Sequence, residues 1–164
     1  MDTKQLPHLL QLLDDDSPTV QTELRRHLGA LGERLNIELA RLSVPPSLAQ
    51  RRLLQEVLRP QARQTLRKAW SQWLNLPESL ESLEKACALF SEFQSGYIYP
   101  TDLSVVLDQL TQDYRDAHSR PSAAGLAAFL FKERGLRGSR NGYYRPLNSD
   151  LVAVVKEGRG IPLS

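Results

Sequence analysis

Apolar residues recur along this chain at steps of three and four, the spacing that lines one face of an α-helix. Leu6, Leu9, Leu10 and Leu13 make the first such stripe. An acidic run, DDD at 14–16, then leads into Ser17 and Pro18, a good N-cap followed by a good first helical residue. Val20, Leu24, Leu28, Leu31 and Leu35 continue as a second stripe, with Gly29 and Gly32 as weak points where the helix bends or breaks. SVPPS at 43–47 interrupts the pattern, and Ser47 is placed to cap the next helix. That helix carries Leu53, Leu54, Val57 and Leu58 and is expected to stop or restart at Pro60, where Leu66, Ala69, Trp70 and Trp73 take over. Beyond a boundary near Pro77, the stripes are Leu80, Leu83, Cys87, Phe90 and Phe93, then Leu103, Val106, Leu107, Leu110 and Tyr114 with Thr101 as cap. RPSAAG at 120–125 starts a short helix that holds Leu126, Phe129 and Leu130, and a last one holds Leu151, Val154 and Val155.

Alternation of period two is nearly absent. GYIY at 96–99 is the one strand candidate, and it is too short to found a sheet. The expected fold is therefore all-α, a multi-helix bundle or short helical array of about eight helices without a substantial sheet. We expect two regions, an N-terminal helical region over 1–76 and a second over 77–164. The stretch 5–42 resembles a HEAT-type hairpin, two apolar helices joined by an acidic turn, in a single copy. The Gly- and Arg-rich run at 134–148 reads as a long loop. Within it Gly135 and Gly138 are expected to permit tight turns, and Asn148 and Ser149 to cap the last helix.

Composition narrows the function classes. With 41% apolar and 24% charged residues and a net charge of +2, the 164-residue chain has no electrostatic bias that demands a nucleic acid or a membrane. No apolar run is long enough to span a bilayer, the N-terminus lacks a signal-peptide pattern, and a lone cysteine permits no internal disulfide. We therefore expect a cytoplasmic protein. Cys87 lies on an apolar stripe, the setting of an inert core thiol. His8, His27 and His118 fall in separate helices without metal-ligand spacing, and no hydrolase elbow or phosphate-binding glycine motif is present. No catalytic residue, metal or cofactor is assigned. Two basic stretches remain: 51–68, with six Lys or Arg against one Glu, and 132–145, where Arg137, Arg140 and Arg145 accompany Tyr143 and Tyr144. They are candidates for RNA contact, although the small net charge ranks that partner behind a protein one.

Leu126, Phe129, Leu130, Phe131, Glu133, Gly135, Gly138, Tyr143, Tyr144, Pro146, Asn148, Ser149, Leu151, Val154, Arg159, Gly160, Ile161, Pro162 and Ser164 occur in a fixed order over some forty residues. This order resembles the SirB-type transglutaminase-like family, with a looser likeness from about residue 81. Arg145 and Asp150 depart from that pattern, which has an acidic residue and an aromatic there. The family continues past the equivalent of GIPLS into an apolar core helix and a later Gly-His-Phe segment. The resemblance thus implies that 77–164 is a helical lead-in, truncated before the catalytic part, with no Cys-His pair of its own. Gly135, Gly138, Pro146, Asn148, Ser149, Gly160 and Pro162 are its structural signature. The function expected is a non-catalytic helical interaction or regulatory module, with a protein partner or a homodimer. Arg137, Arg140, Tyr143, Tyr144 and Arg145 are its candidate surface. A fragment of a thiol protease or acyl transferase is the alternative, and an RNA-binding module the second.

Overall fold

A computed structural model describes residues 5–32, 34–140 and 142–161. Pro162, one of the signature residues, lies outside them. The fold is all-α, with eight α-helices among the described residues and one ladder of two short strands. The chain divides into two compact units, 1–68 and 69–164.

In the first unit, α1 is Leu6–Gln11, α2 Pro18–Gly29 and α3 Arg34–Ala40, while α4, Leu48–Trp73, contributes its first part. Leu6, Leu10, Leu13, Leu24, Leu28, Leu35, Leu39, Leu54, Val57 and Leu58 are buried and form the core. The acidic run is a turn: Asp15 Oδ1 accepts from the Ser17 N–H, and Gln21 Nε2 donates to the Asp15 carbonyl at 2.9 Å. The chain does break at the glycines. α2 ends at Gly29 and Gly32 has φ +50°, so the stripe from Val20 to Leu35 spans two helices, not one. Ser47 and Gln50 cap α4 reciprocally, each side chain accepting from the other's backbone N–H. Pro60 does not stop α4 as the pattern suggested; the helix runs through it. Proline there removes one backbone donor, but the packed Leu54, Val57 and Leu58 hold the preceding turn, and Arg25 Nε donates to the Val57 carbonyl at 3.2 Å.

The second unit contains α5 (Leu80–Ser95), α6 (Leu103–Ala117), α7 (Ala123–Ala128), a π-helical turn (Phe129–Glu133), a 3-10 turn (Pro146–Ser149) and α8 (Leu151–Glu157). Its core joins Leu103, Val106 and Val152, with Cys87, Tyr99, Leu107, Leu151 and Val155 packed around them. α5 faces inward differently from its leucine stripe. Ser82, Ala86, Ser91 and Ser95 are buried, whereas Leu80 is 86% and Leu83 58% exposed. Small side chains on that face let α6 and α8, both of which pack on α5, approach closely. The α5 N-terminus is secured by a capping box between Ser79 and Ser82. α6 follows its stripe, but its N-cap is Asp102, not Thr101.

The strands are β1, Arg137–Gly138, and β2, Arg159–Gly160, paired in parallel with Arg137 opposite Arg159 and Gly138 opposite Gly160. The run expected to be wholly loop thus contributes a strand, and GYIY is a turn. Gly138 sits in the ladder and makes no tight turn; Gly135 does, with φ +70°.

Candidate functional site

The residues of interest gather around the 3-10 turn and the two ends of α8. Asn148 is buried, and its Nδ2 donates to the carbonyls of Gly142 and Tyr143 at 2.8 and 2.9 Å. It holds the preceding loop and does not cap α8. Nor does Ser149: Asp150 is the N-cap, fully buried, with Oδ1 accepting from the N–H groups of Val152 at 2.9 Å and Ala153 at 3.3 Å. Its Oδ2 is buried without a hydrogen-bond partner, as is Ser91 Oγ. The departure at residue 150 is thus a functional cap, because a short acidic side chain reaches orphan N–H groups that an aromatic cannot.

At the other end of α8, Glu157 ties two segments together. Its Oε1 accepts from Tyr99 Oη at 2.7 Å, and Oε2 lies 3.7 Å from Arg145 Nη1. Gly158 then ends the helix with φ +68°, a left-handed cap that turns the chain into β2. Beside Tyr99, burial pushes the Tyr97 hydroxyl's pKa up, and the nearby Glu92 carboxylate adds to the shift.

Of the five candidate surface residues, all are exposed. Tyr144 is 93% exposed and packs edge-to-face on Tyr143 with ring centroids 5.3 Å apart. Arg145 is engaged with Glu157 and so contributes less free charge than its sequence position suggested. Gly160 is buried, accepts from the Ser139 N–H at 2.7 Å and thereby anchors the ladder. In the other basic stretch, Arg52, Arg59, Arg63 and Lys68 are exposed along α4, the ordinary placement of long basic side chains on an outer face.

Cys87 is half-buried against Leu103, Val106 and Val152. His118 caps the C-terminus of α6, with Nε2 3.1 Å from Glu133 Oε1 and its ring against Tyr114 and Phe129. Among the described residues no group of three His, Cys, Asp or Glu side chains is arranged to hold a metal ion. No helix is long and apolar enough to cross a membrane, among the same residues.

The family model described as the transglutaminase-like superfamily covers residues 99–164. That segment is similar to the transglutaminase-like superfamily. It takes in α6 to β2, and with them the tyrosine loop, the Asn148 brace, the Asp150 cap and the ladder. Cys87 precedes it, so the matched stretch holds no thiol, and His118 is its only imidazole. No curated protein and no solved structure matches the chain. In the sequence Asp150 stands out only as a departure from the family pattern, and Glu157 not at all. The available signal for Asp150 was its place immediately before an apolar run; for Glu157, its place in the last turn before a glycine.

Proposed function

We propose that this chain is a non-catalytic helical interaction module, of the SirB-type branch of transglutaminase-like proteins, that presents its tyrosine loop to a protein partner. One observation carries the reading. The loop backbone is pinned by two hydrogen bonds from the buried Asn148, yet the Tyr144 ring stays 93% exposed. An aromatic held ready on a fixed backbone loses little freedom on binding, which is how anchor residues of interfaces work. Arg137 and Arg140, exposed on the same stretch of chain, would set orientation and partner choice. We also propose a HEAT-like pairing of α1 and α2 and a reducing cytoplasm as the compartment.

The position of Cys87 supports this reading over thiol chemistry. Cys87 packs on Leu103 and Val106 near the start of α6, whereas His118 ends that helix. Twelve residues separate Val106 from His118, roughly 18 Å along a helix axis. A thiol and its base must lie within hydrogen-bond reach.

The test compares the wild-type chain with Tyr143→Ala/Tyr144→Ala as baits in a cell lysate of the source organism, with sedimentation equilibrium for self-association. Both baits must give the same far-ultraviolet circular dichroism. The proposal expects a discrete partner, or a dimer, that the double variant loses. Identical retention and identical mass for the two baits would sink it.

A further inference from the structure

We propose that Arg137 and Arg159 together form a binding site for a phosphate-type dianion. The same dipeptide, Arg-Gly, occurs in both strands, and the parallel register sets Arg137 directly against Arg159 and Gly138 against Gly160. Neighbouring strands lie about 4.8 Å apart, and directly paired residues project from the same face of a sheet. Two guanidinium side chains therefore leave one face side by side. Both are exposed. Neither has an acidic partner among the described residues, whereas Arg134 is paired with Asp113 and Arg145 with Glu157. The nearest acids in sequence are already engaged, Glu133 with His118 and Glu157 with Tyr99 and Arg145.

Like charges set opposite each other across a ladder repel, so this pairing disfavours the ladder that holds it unless an anion lies between them. The backbone beneath is fixed: Arg137 N–H donates to the Gly158 carbonyl at 3.1 Å, and Ser139 N–H to that of Gly160 at 2.7 Å. Ile161 N–H continues the clamp onto the Asn148 carbonyl at 3.0 Å. The two side chains are thus rooted on a backbone held by hydrogen bonds on both strands. A single carboxylate satisfies one guanidinium fork. A phosphate monoester has two negative charges and three terminal oxygens, enough to engage both forks at once.

The site shares Arg137 with the surface proposed above but neither of its tyrosines, and phosphate titration and the tyrosine-variant bait read different side chains, so either reading can fail without the other. Isothermal titration at low salt with phenyl phosphate, inorganic phosphate, dimethyl phosphate and benzoate tests it. Phenyl phosphate and inorganic phosphate are expected to bind at one site. Dimethyl phosphate and benzoate, each with one charge, should bind about tenfold or more weakly. Arg137→Ala and Arg159→Ala should each weaken phosphate by about tenfold or more. Arg120→Ala, which removes an exposed arginine elsewhere in the same unit, and Tyr144→Ala should leave it unchanged. Stronger binding of phenyl phosphate than of inorganic phosphate assigns the site to an esterified group, and equal binding to the free ion. The proposal falls if neither phosphate binds, if the monoanions bind as well, or if Arg120→Ala costs as much as the paired arginines. Nuclear magnetic resonance of the arginine Nε–H groups keeps the test decisive if a variant unfolds. In the wild-type protein, phosphate must then shift the signals of Arg137 and Arg159 ahead of the rest.

Discussion

Replacing Asp150 by alanine asks whether the buried carboxyl is a strut or a burden. Its Oδ1 satisfies the Val152 and Ala153 N–H groups, while Oδ2 has no partner in a fully buried setting. Losing an N-cap of this kind costs about 0.5–2 kcal/mol. Stranding a buried donor costs about 1–3 kcal/mol, a range that overlaps the first because the same N–H groups are concerned. Removing the unpartnered oxygen offsets part of that. The two capping bonds outweigh one orphan acceptor, so we expect Asp150→Ala to lose about 2 kcal/mol, a thirtyfold shift toward the unfolded state. Asp150→Asn keeps the Oδ1 acceptor and turns the orphan into a donor, so it should stay within about 1 kcal/mol of wild type. Urea titration followed by far-ultraviolet circular dichroism gives the energies, and amide exchange at Val152 and Ala153 localises them. An alanine variant as stable as wild type, or more so, would refute the reasoning, because the orphan would then dominate.

Four further outcomes are expected. Gly158→Ala should cost about 1 kcal/mol through backbone strain alone, since φ is +68° and an added Cβ meets nothing within 4 Å; urea unfolding checks it. Pro60→Ala, which restores a donor inside α4, should raise stability by about 1–3 kcal/mol by the same measurement. Native Cys87 should react with iodoacetamide far more slowly than the urea-unfolded chain, because it packs on the Leu103 cluster. The folded-state pKa of Tyr97 is raised, so the unfolded chain releases that proton first. Its contribution is intact below about pH 10 and is lost as pH rises beyond it; Tyr97→Phe should flatten that alkaline decline in a pH series of urea midpoints.

The helical character was legible because leucines at steps of three and four are redundant: losing one from the α6 stripe leaves the rest pointing the same way. Ser47 was legible as a helix start for a local reason, since it reaches only three residues ahead. α5 misled because its buried face is made of serines and alanine, and periodicity of leucines carries no information about a face chosen for close approach. Pro60 misled because its local penalty was outweighed by the packing of the turn before it. The ladder was illegible for a different reason: two residues have no alternation, and their partner lies twenty-two positions on. At the candidate site the exposed tyrosines could be named from the sequence, but not Glu157, whose role depends on Tyr99 and Arg145 meeting it in space.

That small ladder also sets an order of assembly. Parallel strands cannot meet through a tight hairpin; the chain between them must first travel out and back. Here the traveller is the tyrosine loop, the 3-10 turn and α8, so the two Arg-Gly steps can close only after that whole excursion is built. The amides of Arg137 and Ser139, locked onto Gly158 and Gly160, then act as a latch on the completed ring. Their exchange with solvent would report, from two protons, whether the intervening residues open piecemeal or as a single cooperative unit.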